Sequence, residues 1–333
     1  MAIKTIALAS LALAATFIGI YFMIDNTKSD KTYYKQFLQH KHKFAKSYNN
    51  KEDLEFRYAV YANNMKQIQD HNAKKSSFTM AENMFTDLTF EEFKSKYLST
   101  EILHNEMTSI NQGVMDTDSK DWNAEGKVSK VKNQGQCGSC WAFSTTGSLE
   151  SAYAIFKNQS IEASEQELVD CSKAQGNQGC NGGLMSSAFD YIIKKQISKE
   201  SDYIYTARDG TCKANQYKDK YTVKSYNVIK PVDVTGLVSA IKVQPVSVAI
   251  EVQSDFMHYH DGIYTNKNCG KSLNHGVLAV GYNNNTTNDL PYFLVKNSWS
   301  EQWGNKGYIK MAIATGSGTC GIANKWDVIP HLD

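Results

Sequence analysis

Gln134-Gly-Gln-Cys-Gly-Ser-Cys-Trp-Ala-Phe-Ser144 is the stretch from which the rest of the chain is read, because a thiol there opens a helix. From Cys140 to about Lys157 the apolar residues Phe143, Leu149, Tyr153 and Phe156 fall at helical spacing and no proline intervenes, which predicts a helix with one buried face. Cys140 then lies in its first turn. Unpaired backbone N–H groups and the partial positive charge of a helix start favour a thiolate over a thiol, and a thiolate is a nucleophile. Two other readings compete. Cys137 and Cys140 also spell C-x-x-C, the pattern of a dithiol redox pair or of half a zinc site, and a lone cysteine is often only a small buried hydrophobe. Zinc calls for a second closely spaced Cys/His pair, which Cys171, Cys180, Cys212, Cys269 and Cys320 do not supply.

With 333 residues and 41% hydrophobic content the chain can bury a substantial core as two domains or one large one. Its net charge of +2, with acids and bases intermixed, points to neither nucleic acid nor an anionic membrane as partner. The start differs in kind: Lys4, an apolar run to Ile24, then Asp25, Asn26 and Lys28. That is a secretory signal, with Ala12-Leu-Ala14 as a small-residue cleavage pattern and a signal anchor as the alternative. In an oxidising compartment six of the seven cysteines can pair and one is left over.

Downstream, Tyr34, Phe37, Phe44 and Tyr48 suggest a short helix with an aromatic stripe. Asp53, Arg57, Tyr61, Asn64, Ile68 and Asn72 recur at steps of three or four and therefore share one helix face, whose polar members need partners if buried. An extended piece at Ala81–Asp87 and a second helical run from Leu88 to Leu98 follow, then a polar linker from Ser99 to about Lys120. Ser164-Glu-Gln-Glu167 reads as a capping box at the head of a helix carrying Cys171. Gly179-Cys-Asn-Gly-Gly183 is a tight loop, and Met185, Ala188, Phe189, Ile192 and Ile193 outline a further helix. Beyond about Asn227 the period shifts to two, as in Val246, Val248, Ile250 and Val252, and β-rich runs alternate with polar turns. A helical half followed by a strand-rich half predicts two lobes with a seam near residue 228, where a cleft would form.

A nucleophilic thiolate needs a base, an orienter for that base and donors for an oxyanion. His275 in Leu273-Asn-His-Gly-Val277 follows Cys140 by 135 residues, within the roughly 130–150 typical of papain-type enzymes, and Asn297 in Lys296-Asn-Ser-Trp299 lies a further 22 along. From about Tyr34 to Val328 the sequence resembles the papain-like cysteine proteases, and among them the cathepsin L type. The resemblance implies an α+β, two-lobe papain-like fold, with a helical first lobe and a β-barrel-like second lobe, preceded by a helical propeptide. It implies Cys140 as nucleophile, His275 as its ion-pair partner and general acid, and Asn297 as holder of the imidazole. Gln134 would aim its amide at the oxyanion beside the Cys140 N–H, and Trp299 would shield the His–Asn bond from water.

The same resemblance pairs Cys137 with Cys180, Cys171 with Cys212 and Cys269 with Cys320, a choice among fifteen pairings that spacing alone leaves open. It places substrate backbone along Gly182 and Gly183, and an S2 pocket at Leu184, Met185, Ala249, Leu273 and Gly276 with Lys325 at its floor; that lysine departs from the family, and its ammonium would let an acidic P2 side chain bind while bulky apolar ones stay preferred. Upstream, the helix face Asp53, Arg57, Tyr61, Asn64, Ile68 and Asn72 and the motif Asn83, Phe85 and Asp87 resemble the family's two propeptide signatures, with Ala81 and Ser300 at positions where glycine is usual. The division expected is signal 1–24, inhibitory propeptide 25–98, activation linker 99–115 with cleavage between about Ile110 and Asp121, helical lobe 116–228 and β-rich lobe 229–333.

The implied product is a zymogen of a cysteine endopeptidase that works without metal or cofactor. It would act as a monomer on protein and peptide substrates, with its own propeptide as inhibitor. The mature enzyme would have no membrane association, and its destination would be a lysosome, a digestive vacuole or the exterior. Exopeptidase action, an inactive homologue and a secreted redox protein are the alternatives, and Asn158, Asn284 and Asn285 stand in glycosylation sequons.

Overall fold

The computed structural model describes residues 31–99, 102–103, 118–270, 272–285 and 290–333, so the signal stretch and most of the linker lie outside the described residues. By internal contacts the chain divides into two units, one made of the chain up to Lys75 with Ala81–Thr89, the other of Ser76–Met80 with Phe90–Asp333.

In the first unit, helices α1 (Tyr34–Lys43) and α2 (Lys51–Asn72) pack through aromatic rings, Phe37 lying 5.5 Å from Tyr58 and 5.4 Å from Tyr61 between centroids. The Asn50 side chain caps α2 by accepting from Asp53 N, and Glu52 and Asp53 sit at the positive end of the helix. Buried Asn64 donates to the carbonyls of Thr86 and Leu88, both at 2.9 Å, and Arg57 donates to the Asp87 carbonyl at 3.1 Å. The polar members of the α2 face thus hold the Asn83–Leu88 loop. Asn72, at the last turn, is exposed. Asp87 is buried and receives Lys46 Nζ at 2.7 Å and the Tyr48 hydroxyl at 3.1 Å, with His40 Nε2 at 3.5 Å. Burial alone would raise its pKa, but His40 and Lys46 outweigh that and hold it at about 2. Ala81, at a position where glycine is usual, has no positive φ.

The second unit contains, in chain order, β1 (Phe78–Met80), α3 (Phe90–Tyr97), β2 (Ile102–Leu103), β3 (Ser119–Asp121), α4 (Cys140–Phe156), α5 (Glu165–Cys171), α6 (Met185–Lys195), β4 (Ile197–Ser198), β5 (Lys220–Tyr221) and β6 (Ser225–Val228). There follow α7 (Val234–Val243), β7 (Val246–Ile250), α8 (Ser254–Met257), β8 (Tyr259–Tyr264), β9 (Ser272–Leu273), β10 (His275–Asn283), β11 (Tyr292–Lys296), β12 (Tyr308–Ala312) and β13 (Val328–His331). One sheet runs β1-β8-β12-β11-β10-β7-β13-β6, with β3 added on β10. Phe90 and the residues after it, expected within the 25–98 segment, belong by contact with the second unit.

Two local expectations differ from the structure. Helix α4 buries every residue from Cys140 to Tyr153, not one face, because both lobes pack around it. Two of its polar side chains reach the strand-rich half, Ser144 donating to Val277 O at 2.7 Å and Ser148 to Pro245 O at 3.1 Å, while Thr146 donates to Glu165 in the helical half. The capping box is half made. Ser164 Oγ accepts from Glu167 N at 3.0 Å, whereas the Glu167 carboxylate accepts from Tyr191 and Ser198 N, which leaves Ser164 N to bond Ser198 O. Finally, the chain crosses the seam at residue 228 twice: β3, from the start of the helical half, pairs with β10, and β13, at the chain's end, pairs with β6 as well as β7.

Candidate active site

Helix α4 and strand β10 meet where glycine permits it. A Cβ on Gly276 would lie 3.1 Å from Trp141 Cα, and with none there the Gly276 N–H reaches Cys140 Sγ at 3.3 Å. His275, at the head of β10, is thereby placed beside the helix start. Its Nε2 lies 2.8 Å from Asn297 Oδ1, an oxygen that also accepts from Ser298 N at 2.8 Å. Because that amide oxygen only accepts, Nε2 carries the hydrogen and Nδ1 keeps its lone pair. Nδ1 is buried without a hydrogen-bond partner. Trp299 stacks on the imidazole at 4.5 Å and 27°, and both rings are buried. Ser300 adopts φ +63°, the left-handed backbone for which glycine is suited.

Gln134 is also buried. Its Oε1 accepts from Ser298 Oγ at 2.8 Å and Trp299 Nε1 at 3.0 Å, which turns its amide NH₂ towards the thiol loop. That NH₂ donates to Cys137 O at 2.8 Å and to Tyr97 O, at the end of α3, at 2.9 Å. The segment after α3 covers the thiol: Ser99 Oγ lies 3.1 Å from Cys140 Sγ, and Ser99 N donates to Asn274 O at 2.8 Å. In β2, the backbone pairs Ile102 with Leu273. A Cβ on Gly138 would stand 2.7 Å from Leu98 O, so glycine there lets this segment pass. Phe93 of α3 packs edge-on to Trp299 at 5.1 Å.

This cover changes the electrostatics expected from sequence. Burial pushes the Cys140 thiol up, against the opposing effect of the Gly276 N–H and the Ser99 hydroxyl, and burial pushes His275 down to about 4, against the Asn297 hydrogen bond. In this closed form the pair is a neutral thiol and a neutral imidazole. The helix start favours the thiolate, but a sulfur with no exposed surface forfeits more solvation than that field returns.

Cys137 is bonded to Cys180, Cys171 to Cys212 and Cys269 to Cys320, while Cys140 is free, so the C-x-x-C is not a cycling pair. Met185, Ala249 and Leu273 come together with Trp141 in one apolar cluster, Trp326 packing on its edge, and half-buried Leu184 precedes Met185 at the start of α6. Lys325 is exposed, with Nζ 5.1 Å from the Trp326 ring centre. Gly182 has φ +123°, and a Cβ on Gly183 would press within 2.8 Å of the Trp141 ring. Two participants were not singled out in the sequence: Ser99 sits in a polar run, and Tyr205, whose hydroxyl reaches both Gln134 O and Ser139 Oγ, lies outside any periodic pattern. Of the three sequons, Asn284 is buried, while Asn158 and Asn285 are exposed.

Residues 117–329 match the family described as papain family cysteine protease, and residues 37–93 match the cathepsin propeptide inhibitor domain. The chain belongs to the papain family of cysteine proteases. As a papain-family precursor it is 42% identical over 299 residues to a cathepsin L-like proteinase of Fasciola hepatica, covering 86% of this chain and 90% of that one. It is 45% identical over 276 residues to pro-cathepsin H of Mus musculus, covering 80% and 82%. The structure of digestive procathepsin L 3 of Tenebrio molitor larval midgut superposes with a TM-score of 0.80 at 35% identity, over 91% of this chain and 100% of that one. The papain-like α+β fold with a helical propeptide is therefore established, and with it a cysteine endopeptidase made as a zymogen. Its disulfides and propeptide are those of a secretory, lysosomal or vacuolar papain-type enzyme.

Proposed function

We propose that this papain-family endopeptidase is of the cathepsin L type, with Cys140 as nucleophile, His275 as base and acid, Asn297 as orienter, and the Gln134 amide with the Cys140 N–H as oxyanion donors. One observation carries the reading: Gly276 N donates to Cys140 Sγ while the adjacent His275 bonds Asn297, so three residues distant in sequence share one buried locus. Once Ser99 withdraws, water and substrate restore solvation, and the thiol proton passes to His275 Nδ1. The sulfur then bonds the scissile carbonyl carbon, and the oxygen takes the negative charge opposite the two donors. Collapse breaks the C–N bond as the imidazolium gives its proton to the leaving amine, leaving a thioester. Water, deprotonated by the imidazole, cleaves the thioester and restores the thiol.

In this reading the Tyr97 carbonyl occupies the Gln134 donor before activation, and Ser99 blocks the sulfur, so the segment inhibits by filling both halves of the site. The apolar cluster of Met185, Ala249 and Leu273, with Leu184 and Gly276 beside it, serves a bulky apolar P2 side chain, and Gly182 and Gly183 take substrate backbone as an added strand. The exposed Lys325 ammonium gives an acidic P2 side chain a second mode of binding. We assign the divisions 1–24, 25–98, 99–115, 116–228 and 229–333 to signal, propeptide, linker and the two lobes, and a monomer in a lysosome, digestive vacuole or the exterior.

The test is to express the chain after the signal, acidify it, and follow self-conversion to a mature fragment that cleaves a peptide with Leu or Phe at P2. Cys140→Ser should abolish both steps; hydrolysis surviving in that variant would overturn the assignment. A P2-varied peptide library should show Asp and Glu losing ground in Lys325→Ala relative to the parent, and an unchanged profile would remove Lys325 from the specificity reading.

A further inference from the structure

Ser139 stands at the N-cap of α4, yet its side chain makes no capping hydrogen bond. A serine in that position ordinarily turns its hydroxyl to an N–H of the first turn, a contact worth about 1 kcal/mol. Here the hydroxyl lies 2.6 Å from the hydroxyl of Tyr205. The Tyr205 hydroxyl in turn donates to the main-chain carbonyl of Gln134 at 2.7 Å. The phenol has one hydrogen, which goes to the carbonyl, so Ser139 is the donor in the shorter contact. Burial pushes the phenol's pKa up, which keeps that hydrogen in place across the working range of the enzyme. The ring is held edge-on to Phe143 at 4.9 Å, and Tyr205 N is fixed to Glu200 Oε1 at 2.9 Å.

The two groups joined by this phenol flank the loop that carries both oxyanion donors. Gln134 supplies the side-chain amide, and Ser139 immediately precedes the Cys140 N–H. Between them the loop has φ +58° at Gly135 and is pinned mid-way by the Cys137–Cys180 disulfide and by Gly138 N on Cys180 O at 2.9 Å. The Gln134 side chain is oriented by Ser298 and Trp299, and the Gln134 main-chain N–H donates to Ser298 O at 2.9 Å. Those bonds set the amide relative to the second lobe. The amide also donates to Cys137 O at 2.8 Å, and Tyr205 carries the tie one step further, to Ser139, the residue that precedes the Cys140 N–H.

We propose that Tyr205 is a positioning residue for amide hydrolysis: by tying Gln134 O to Ser139 Oγ it sets the distance between the two oxyanion donors. The inference rests on the assignment of Cys140 and Gln134 made above, and goes beyond it in naming what holds the donors in register. It predicts that losing the tie weakens stabilisation of the tetrahedral oxygen and leaves the thiol's intrinsic reactivity alone.

The test compares activated Tyr205→Phe, which keeps the ring, with the parent enzyme. On a peptide p-nitroanilide, kcat should fall by roughly tenfold or more with KM within about twofold, as for partial loss of an oxyanion contact. A peptide aldehyde, whose adduct with Cys140 places an oxygen in the same position, should bind more weakly by a similar factor. Alkylation by iodoacetamide, which forms no oxyanion, should keep its rate. Ser139→Ala breaks the tie from the other side, and should lower kcat by roughly threefold or more with alkylation again unchanged; it also serves if the tyrosine variant does not fold. Unchanged kcat in both variants, or alkylation slowed in step with kcat, overturns the proposal. Hydrolysis persisting in Cys140→Ser, or a full kcat in Gln134→Ala, would instead overturn the underlying assignment, whatever Tyr205→Phe shows.

Discussion

The hydroxyl of Ser99 lies 3.1 Å from the sulfur of Cys140, and that sulfur has no exposed surface. Alkylation of the precursor must therefore wait for the segment to open. Iodoacetamide should label Cys140 at least roughly a hundredfold more slowly in the Cys140-containing precursor at pH 7 than in the mature enzyme, since opening of a packed segment costs several kcal/mol. Timed labelling read by intact mass checks this, and equal rates would show that the segment does not guard the thiol.

Asn297 fixes the His275 ring through one hydrogen bond of 2.8 Å. Asn297→Ala should lower kcat/KM by about ten- to a hundredfold, the cost of about 1.5–3 kcal/mol expected for a bond to a group that becomes charged. Steady-state kinetics on the activated variant measure it, with circular dichroism to show that the fold is retained. A loss below twofold would mean that the Trp299 stacking alone orients the ring.

The buried Asp87 carboxyl, held at about 2, gives the first unit an acid limb. A depressed carboxyl stabilises the fold above its unfolded value, about 3.9, and that stabilisation disappears as the pH falls through about 2. The size follows from the shift and is about 2 kcal/mol. His40 works in the opposite sense: its pKa is raised, burial being outweighed by Asp87 and Glu82, so its contribution is complete below 6.5 and lost as the pH rises past its folded value. Thermal melts of the precursor should therefore be highest between roughly pH 4 and 6.5. Asp87→Asn should lower the plateau and flatten the acid limb; an unaltered acid limb would place its origin elsewhere.

A Cβ at Gly183 would lie 2.5 Å from Asn177 Oδ1 and 2.8 Å from the Trp141 ring. Asn177 Oδ1 accepts from Leu184 N at 2.8 Å, so yielding would break a contact that shapes the start of α6. Gly183→Ala should destabilise the protein by about 1–3 kcal/mol and raise KM for peptides that pair with this edge. Denaturant melts and KM measured together test it; a variant with parental stability and KM would show that the loop relaxes freely.

What could be read in the sequence followed from chemistry carried by short motifs and regular spacing. The α4 start, the period-two strands and the polar face of α2 were legible because each is a local pattern, and the papain-like fold was implied by the resemblance of the motifs around Cys140, His275 and Asn297 to that family. The depth of burial was not legible. The apolar spacing in α4 indicates one stripe, but burial on every side depends on β7 and β10 packing against it, and these come from far along the chain. The same holds for the thiol: a helix start is a local property, whereas the cover over Cys140 comes from Ser99, within a run whose polar composition reads as linker. Tyr205 carries no signal of its own, because its partners are a main-chain carbonyl and a serine hydroxyl that sequence does not locate.

The strand Val328–His331 pairs with Ser225–Val228 on one side and touches Ser247 on the other, while Ser119–Asp121 lies on β10. Ser119–Asp121 and Val328–His331 are thus each woven into the half to which they do not belong by order. A nick in the stretch joining the halves would leave two fragments still clasped through four strands, so a protease that digests its neighbours can survive a cut at its own waist.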